Sequence, residues 1–354
     1  MTTNQQMDRQ TLERILQVQD IETISVSGLV KLFREEEQMS GFLPDGAHQV
    51  DPRNGDRILY NASRARRPHD YRPPAQSQHV AKECAICQGQ TTGIVDAAAL
   101  SEGFTFINKN LFPVLYPHRR DGHLAHGLHF LQWTSSLHDR DWYNMPPEDL
   151  AIVMARLAAL ERVLLTSPGG QGPNFVSIIK NYGRAVGGSL EHGHQQILYG
   201  NIMPRRVADN RRYEETHGET LTAYLLRENP ADLTISDYGE AVLLVPYFMR
   251  RPYDMILAVK DTGKRHLYEL TGDELLAVAR GWHDATRAIH SLMPSLGREI
   301  AYNVLVHNGP GAGLYFEFLP FTQEEGGLEK LGLHVCQQSP ATAVGDVRRS
   351  LRVT

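Results

Sequence analysis

Two stretches of this chain run through the same elements at the same spacing, and that repeat restricts the fold more than any other feature. His129-Phe-Leu-Gln-Trp133 is a short apolar strand. A polar loop leads from it to Pro146-Pro-Glu-Asp-Leu-Ala-Ile-Val-Met-Ala-Arg-Leu-Ala-Ala-Leu160, an amphipathic helix with proline and acids in its first turn. Asp254-Met-Ile-Leu-Ala-Val259 opens a second copy, which passes through a polar loop to a capped helix beginning Thr271-Gly-Asp-Glu-Leu-Leu-Ala-Val-Ala279. From the start of each strand to the first leucine of its helix the length is the same, 129 to 150 and 254 to 275. Each helix precedes a strand, a glycine-rich connection and another strand: Phe175-Val-Ser-Ile-Ile179 to His192, and Tyr302-Asn-Val-Leu-Val306 to Glu317. One strand-strand-helix-strand-strand module used twice predicts an α+β fold of two similar halves rather than a doubly wound parallel sheet.

At 354 residues the chain has room for both halves and an extension. Residues 1–44 form that N-terminal extension. It opens on an amphipathic helix in which Leu12, Ile15, Leu16 and Val18 fall near helical spacing. The first half takes 45–212 and the second 213–354. Between Asp51 and Gln78 the chain is polar and rich in proline and arginine, and it reads as extended segments and loops. The formal net charge of -5 argues against a general nucleic-acid surface, although the arginines between Ala62 and Pro68 are suited to holding phosphates locally. No apolar run approaches the roughly 18 to 20 residues that cross a bilayer, and the N-terminus has no apolar signal region. Two of the three cysteines form a Cys-x-x-Cys, a usage that fits a reducing compartment, here the cytoplasm.

Cys84-Ala-Ile-Cys87 by itself is compatible with a redox pair or half of a zinc site. A thioredoxin-like pair needs a helix after it, whereas Gln88-Gly-Gln-Thr-Thr-Gly93 is a poor helix, so zinc is preferred and histidine is the usual complement. Among sixteen histidines some apparent clusters are inevitable, and the run His118, His123, His126, His129 needs no function. His192 and His194 differ, because they alternate at the start of a strand and so share a face. One could ligate metal while its neighbour meets substrate, or both could bind one metal.

The block Gly187-Gly-Ser-Leu-Glu-His-Gly-His-Gln-Gln196 resembles the Gly-x-Ser-x-x-His-x-His-x-Gln active-site motif of the galactose-1-phosphate uridylyltransferase family, in the histidine-triad superfamily. The surrounding motifs keep that family's order over about residues 50–325. They run from Asp51-Pro-Arg-Asn-Gly-Asp-Arg57 and Ser63-Arg-Ala-Arg-Arg-Pro68 through the Cys-x-x-Cys, Asn110-Leu-Phe-Pro113 and Ser136-Leu-His138, then Val245-Pro-Tyr-Phe248, Arg251-Pro-Tyr253 and Val306-His-Asn-Gly-Pro310. The resemblance implies two histidine-triad-like halves, each a mostly antiparallel sheet with a packed helix. It implies one structural zinc on Cys84, Cys87, His138 and His192, and it makes His194 the nucleophile that takes a nucleotide onto its ring. Gln196 then hydrogen-bonds the transferred phosphate, with Ser189 and the amides of Gly187 and Gly188 around its oxygens. Arg64 and Arg67 neutralise the phosphates, and Asn110 and Asn181 lie near phosphate and base. A homodimer is also implied.

The second half departs from the family. Where a further His-x-His belongs, Tyr315 and Glu317 stand, and Arg206 replaces a carboxylate ligand, so a single zinc and one catalytic half are expected. Glu317 is a candidate for a substrate hydroxyl or for an arginine partner. Leu111 replaces the acid beside the family's base-contacting asparagine, and the match weakens past residue 325, so neither uracil nor galactose is supported. The expected activity is transfer of a nucleoside monophosphate from a nucleotide-sugar or dinucleotide to a sugar phosphate or phosphate through a nucleotidyl-histidine. The alternatives are a phosphorylase or hydrolase of nucleotide-sugars or dinucleoside polyphosphates, and an inactive zinc-stabilised nucleotide-binding protein.

Overall fold

A computed structural model describes residues 20–66, 84–118, 124–167 and 174–353. The helix expected around Leu12–Val18 lies outside the described residues. The chain divides into two compact units, Met1–Asp141 with Ala155–Ile178 and Ser189–Asp209, and Trp142–Met154 with Ile179–Gly188 and Asn210–Thr354. No helix among the described residues is long and apolar enough to cross a membrane.

In the first unit a small hairpin, β1 (His48–Val50) and β2 (Arg57–Leu59), precedes the main strands β3 (Ile94–Ala99), β4 (Phe104–Lys109), β5 (Gly127–Trp133), β6 (Phe175–Tyr182, counted in this unit as far as Ile178) and β7 (His194–Gly200). Their order is β3-β4-β5-β7-β6, and β3 to β5 and β7 pair antiparallel. In the second unit β8 (Thr234–Asp237), β9 (Ala241–Leu244), β10 (Met255–Val259), β11 (Tyr302–His307) and β12 (Tyr315–Pro320) take the order β8-β9-β10-β12-β11. These are the same arrangement. In each, three meandering strands lead into a long helix, and the last strand of the set inserts beside the third.

The two helices are those expected from the repeat, α2 (Pro147–Thr166) and α5 (Gly272–Ser295), following α1 (Val26–Arg34). Thr271 starts α5 with a reciprocal capping box, its hydroxyl accepting from the Glu274 amide while the Glu274 carboxylate accepts from the Thr271 amide at 2.7 Å. Trp282 on α5 packs edge-on against Phe316 and Phe318 of β12 and stacks on Trp142 at 4.3 Å. Shorter helices α3 (Arg205–His217), α4 (Leu221–Glu228), α6 (Gly327–Lys330) and α7 (Pro340–Val353) complete the described residues.

Residues 20–39, read from the sequence as part of an extension, pack on the first unit. Ile21, Leu29 and Phe33 are fully buried, and the Phe33 ring meets Phe130 of β5 edge-on at 5.0 Å. Arg156 of α2 grips Asp96 with both Nε and Nη2, at 2.8 and 2.6 Å, and also reaches Asp20. Glu36 forms a 2.6 Å ion pair with Lys109 of β4, both side chains being about nine-tenths buried, and also accepts from the Gly93 amide. Burial pushes the Glu36 carboxyl up, but Lys109 and the Gly93 amide outweigh it and hold it below the usual glutamate range.

Breaking that pair strands a buried charge. Glu36→Ala is expected to lower unfolding stability by about 3 kcal/mol in urea titration, and an unchanged midpoint would show that the pair contributes nothing. Because the folded-state value is depressed, the stabilisation is complete above the ordinary glutamate range. It is lost as pH falls through the folded-state value. The deficit of the variant relative to the parent protein should therefore shrink in acid.

Candidate active site and metal centre

Cys84 and Cys87 sit in a tight turn closed by the Gln88 amide to the Cys84 carbonyl at 3.1 Å and the Gly89 amide to the Ile86 carbonyl at 2.9 Å. His138 follows β5 and His192 immediately precedes β7, so neighbouring strands carry both histidines to the cysteine turn. The four ligand atoms lie within 4.8 Å of one another and could hold a metal ion. His192 Nδ1 is 3.7 and 3.6 Å from the two sulfurs, and His138 Nδ1 is 3.7 Å from Cys87 Sγ. The His192 Nε2–H donates to the Ser135 carbonyl at 2.8 Å, which leaves the Nδ1 lone pair for the cluster. Hydrogen bonding from Cys87, helped by His138 and His192, holds the Cys84 thiol well below its usual range. The Cys84 sulfur in turn raises the His138 pKa. A thiolate facing two imidazoles is the donor set a soft or borderline cation needs.

The strand after His192 carries the candidate nucleophile. Its Nδ1 lies 2.9 Å from the His192 carbonyl, an acceptor only, so Nδ1 carries the proton and Nε2 keeps its lone pair. Trp133, opposite His194 in the β5–β7 register, touches both rings, His192 edge-on at 5.3 Å and His194 tilted at 4.9 Å. The two imidazoles thus share one side of the sheet, as their alternation requires. The residue between them has to be glycine: a Cβ at Gly193 would stand 2.4 Å from Asp141 Cγ. Thr134 fixes both neighbours, its amide donating to the Gly193 carbonyl at 3.1 Å and its hydroxyl to Asp141 at 2.9 Å.

Gln196 follows on the same face, opposite Leu131, and is buried. Its Oε1 lies 3.2 Å from Nε2 of His129, a residue that sequence reasoning left among the unassigned histidines. Asn110 is also buried here, with its carbonyl oxygen accepting from the Phe112 amide at 2.9 Å and its NH2 beside the His129 ring. Arg64 is half-buried and donates to the Phe112 carbonyl at 2.6 Å, so part of its guanidinium holds the Asn110–Pro113 turn. Ser189 is buried close before the histidine pair. Arg67 lies outside the described residues.

The amides of Gly187 and Gly188, expected from the sequence to face phosphate, are already used. They donate to the Arg184 and Gly183 carbonyls at 3.1 and 3.0 Å. An N–H has one hydrogen to give, so both amides are committed within this loop. Gly187 takes the left-handed φ of +85°, and a Cβ on Gly188 would sit 2.6 Å from the Gly183 carbonyl oxygen. Asn181, like them in the second unit, accepts from Asn303 Nδ2 at 2.7 Å. Glu317 accepts from His307 Nε2 at 2.7 Å; Tyr315 stacks on that ring at 4.2 Å, and Asn210 lies 3.2 Å from its Nδ1.

No protein-family model and no curated protein sequence matches this chain. Solved structures match it in fold. A uridylyltransferase superposes with a TM-score of 0.68 at 19% identity, covering 86% of this chain and 98% of its own. The chain has the uridylyltransferase fold. An ADP-glucose phosphorylase from Arabidopsis thaliana, solved with bound ADP-glucose, follows with a TM-score of 0.63, 16% identity and coverage of 85% and 97%. A galt-like protein from the same plant gives 0.59, 17%, 69% and 83%. The fold expected from the motifs is therefore met, at 16% to 19% sequence identity.

Gly193→Ala should destabilise the protein by about 2 kcal/mol in thermal or chemical unfolding, since the added methyl must displace a buried carboxylate. A variant as stable as the parent would mean that Asp141 is not fixed over the histidine pair.

Proposed function

We propose that the chain is a nucleotidyltransferase that carries a nucleoside monophosphate on His194 between a nucleotide-sugar or dinucleotide and a phosphate-bearing acceptor. The observation behind this reading is the 2.9 Å contact between His194 Nδ1 and the His192 carbonyl; a carbonyl only accepts, which assigns the proton to Nδ1 and the nucleophilic lone pair to Nε2. In the first step Nε2 attacks the α-phosphorus of the donor, and the bond to the bridging oxygen breaks, its electron pair leaving with the departing phosphate. The ring becomes cationic while it carries phosphorus, and the His192 carbonyl stabilises that charge through the retained Nδ1–H. In the second step an oxygen of the acceptor phosphate attacks the same phosphorus and the pair of the N–P bond returns to Nε2. Neither step needs a proton to move, so catalysis rests on positioning and on charge stabilisation by Gln196, Ser189, Arg64 and Arg67. Asn110 is assigned to the surroundings of that site.

We further propose that the metal is a single structural zinc. Tetrahedral zinc with sulfur near 2.3 Å and nitrogen near 2.0 to 2.1 Å places S and N about 3.6 Å apart. The S–N separations of 3.6 and 3.7 Å fit the edges of such a tetrahedron. When bound, zinc supplies rigidity, fixing His192 and hence the carbonyl that orients His194. The three cysteines are free thiols, which suits a cytoplasmic enzyme. Transfer to a sugar phosphate and release to orthophosphate share the first step, and the acceptor decides between them.

Incubation with a panel of nucleotide-sugars and dinucleotides, read by intact mass, should give an adduct of one nucleoside monophosphate that is missing in His194→Ala. No adduct with any donor would favour a zinc-stabilised nucleotide-binding protein. Metal analysis should find about one zinc per chain, falling severalfold in Cys84→Ser; full retention would overturn the four-ligand assignment.

A further inference from the structure

His129 is fully buried in the middle of β5 and lies on the same face as the candidate nucleophile, because it pairs with Leu198 while Leu131 pairs with Gln196 and Trp133 with His194. Its protonation can be read from a backbone donor whose direction leaves no choice. The Val114 amide donates to His129 Nδ1 at 3.0 Å, so Nδ1 is unprotonated and the proton of the neutral ring is on Nε2. That Nε2–H is 3.2 Å from Gln196, which must therefore present its carbonyl oxygen. The Asn110 NH2 lies 3.1 Å from Nε2 and 3.4 Å from Nδ1, nearly equidistant and hence in line with neither nitrogen. Asn110 is kept in that place by the Phe112 amide on its own carbonyl oxygen and by its backbone N–H to the His129 carbonyl at 2.8 Å.

We propose that His129 is a positioning residue that sets the orientation of the Gln196 amide. An amide side chain offers oxygen at one end and two N–H donors at the other, and a half-turn exchanges them. With the oxygen drawn by His129 toward the Leu198 end of β7, the NH2 is left for the His194 end, where anionic phosphoryl oxygens gather during transfer. The opposite orientation would aim a carbonyl oxygen at those anions. The ring thus transmits a backbone direction, the Val114 N–H, to the substrate-facing group without touching substrate itself. This inference rests on the nucleotidyl-transfer reading for its consequence and on the hydrogen bonds alone for its geometry.

The test has one arm for each. Imidazole nitrogen shifts of isotope-labelled histidine in the intact protein, with His129 assigned by its absence in His129→Asn, should show Nδ1 unprotonated and Nε2 protonated. A proton on Nδ1 overturns the proposal whether or not the protein is active. The second arm is a double-mutant cycle on the rate of nucleotidyl-histidine formation. His129→Ala should slow it about tenfold or more in the parent protein and less than twofold in Gln196→Ala. Equal slowing in both backgrounds would show that His129 does not act through Gln196. If the parent protein forms no adduct, the transfer reading fails, and the nitrogen shifts still decide the geometry of His129.

Discussion

The site depends on one residue used twice. His192 gives its side chain to the cysteine cluster and its carbonyl to the Nδ1–H of His194. Its own Nε2–H is taken by Ser135, so the ring cannot turn without losing a buried hydrogen bond, and an unmade one costs on the order of 1 to 3 kcal/mol. The candidate metal cluster and the His194 ring are therefore one mechanical unit. The cluster at Cys84, Cys87 and His138 is joined to the His194 ring through a single peptide. Gly193 is what allows the two histidines so close to Asp141, and a bulkier residue between them would break the relay at its narrowest point.

Around that unit the sheet register does the sorting. Antiparallel pairing of β5 with β7 sets Trp133 beside His194, Leu131 beside Gln196 and His129 beside Leu198, so one face carries the candidate nucleophile, Gln196 and His129 in order. The other half of the fold repeats the strand order but not this chemistry. There His307, Glu317, Tyr315 and Asn210 bind one another through side-chain hydrogen bonds and a stacked pair of rings. The buried histidine and the carboxylate beside it satisfy one another.

Much of this was legible in the sequence because it depends on local pattern. Periodicity exposed β5, α2, β10 and α5, and the spacing of His192 and His194 placed both rings on one side. What escaped depends on partners far apart in the chain. The partners of Asp20, Glu22 and Glu36, namely Arg156, Arg162 and Lys109, come from α2 and β4. His129 looked like one of many histidines until the fold supplied Val114 and Gln196. The glycine amides at 187 and 188 were assigned to phosphate because glycine-rich turns can bind it, but only the loop conformation shows that Gly183 and Arg184 take both hydrogens. For Arg64 the fold adds a partner that the sequence did not indicate, the Phe112 carbonyl.

The central claim is that the direction of the His194 proton decides which nitrogen reacts. Phosphorus NMR of the trapped nucleotidyl adduct, made on protein with isotope-labelled imidazole nitrogens, measures this directly through phosphorus–nitrogen coupling. The account predicts phosphorus on Nε2 of His194, with Nδ1 still protonated. Phosphorus on Nδ1, or on any other residue, would contradict it.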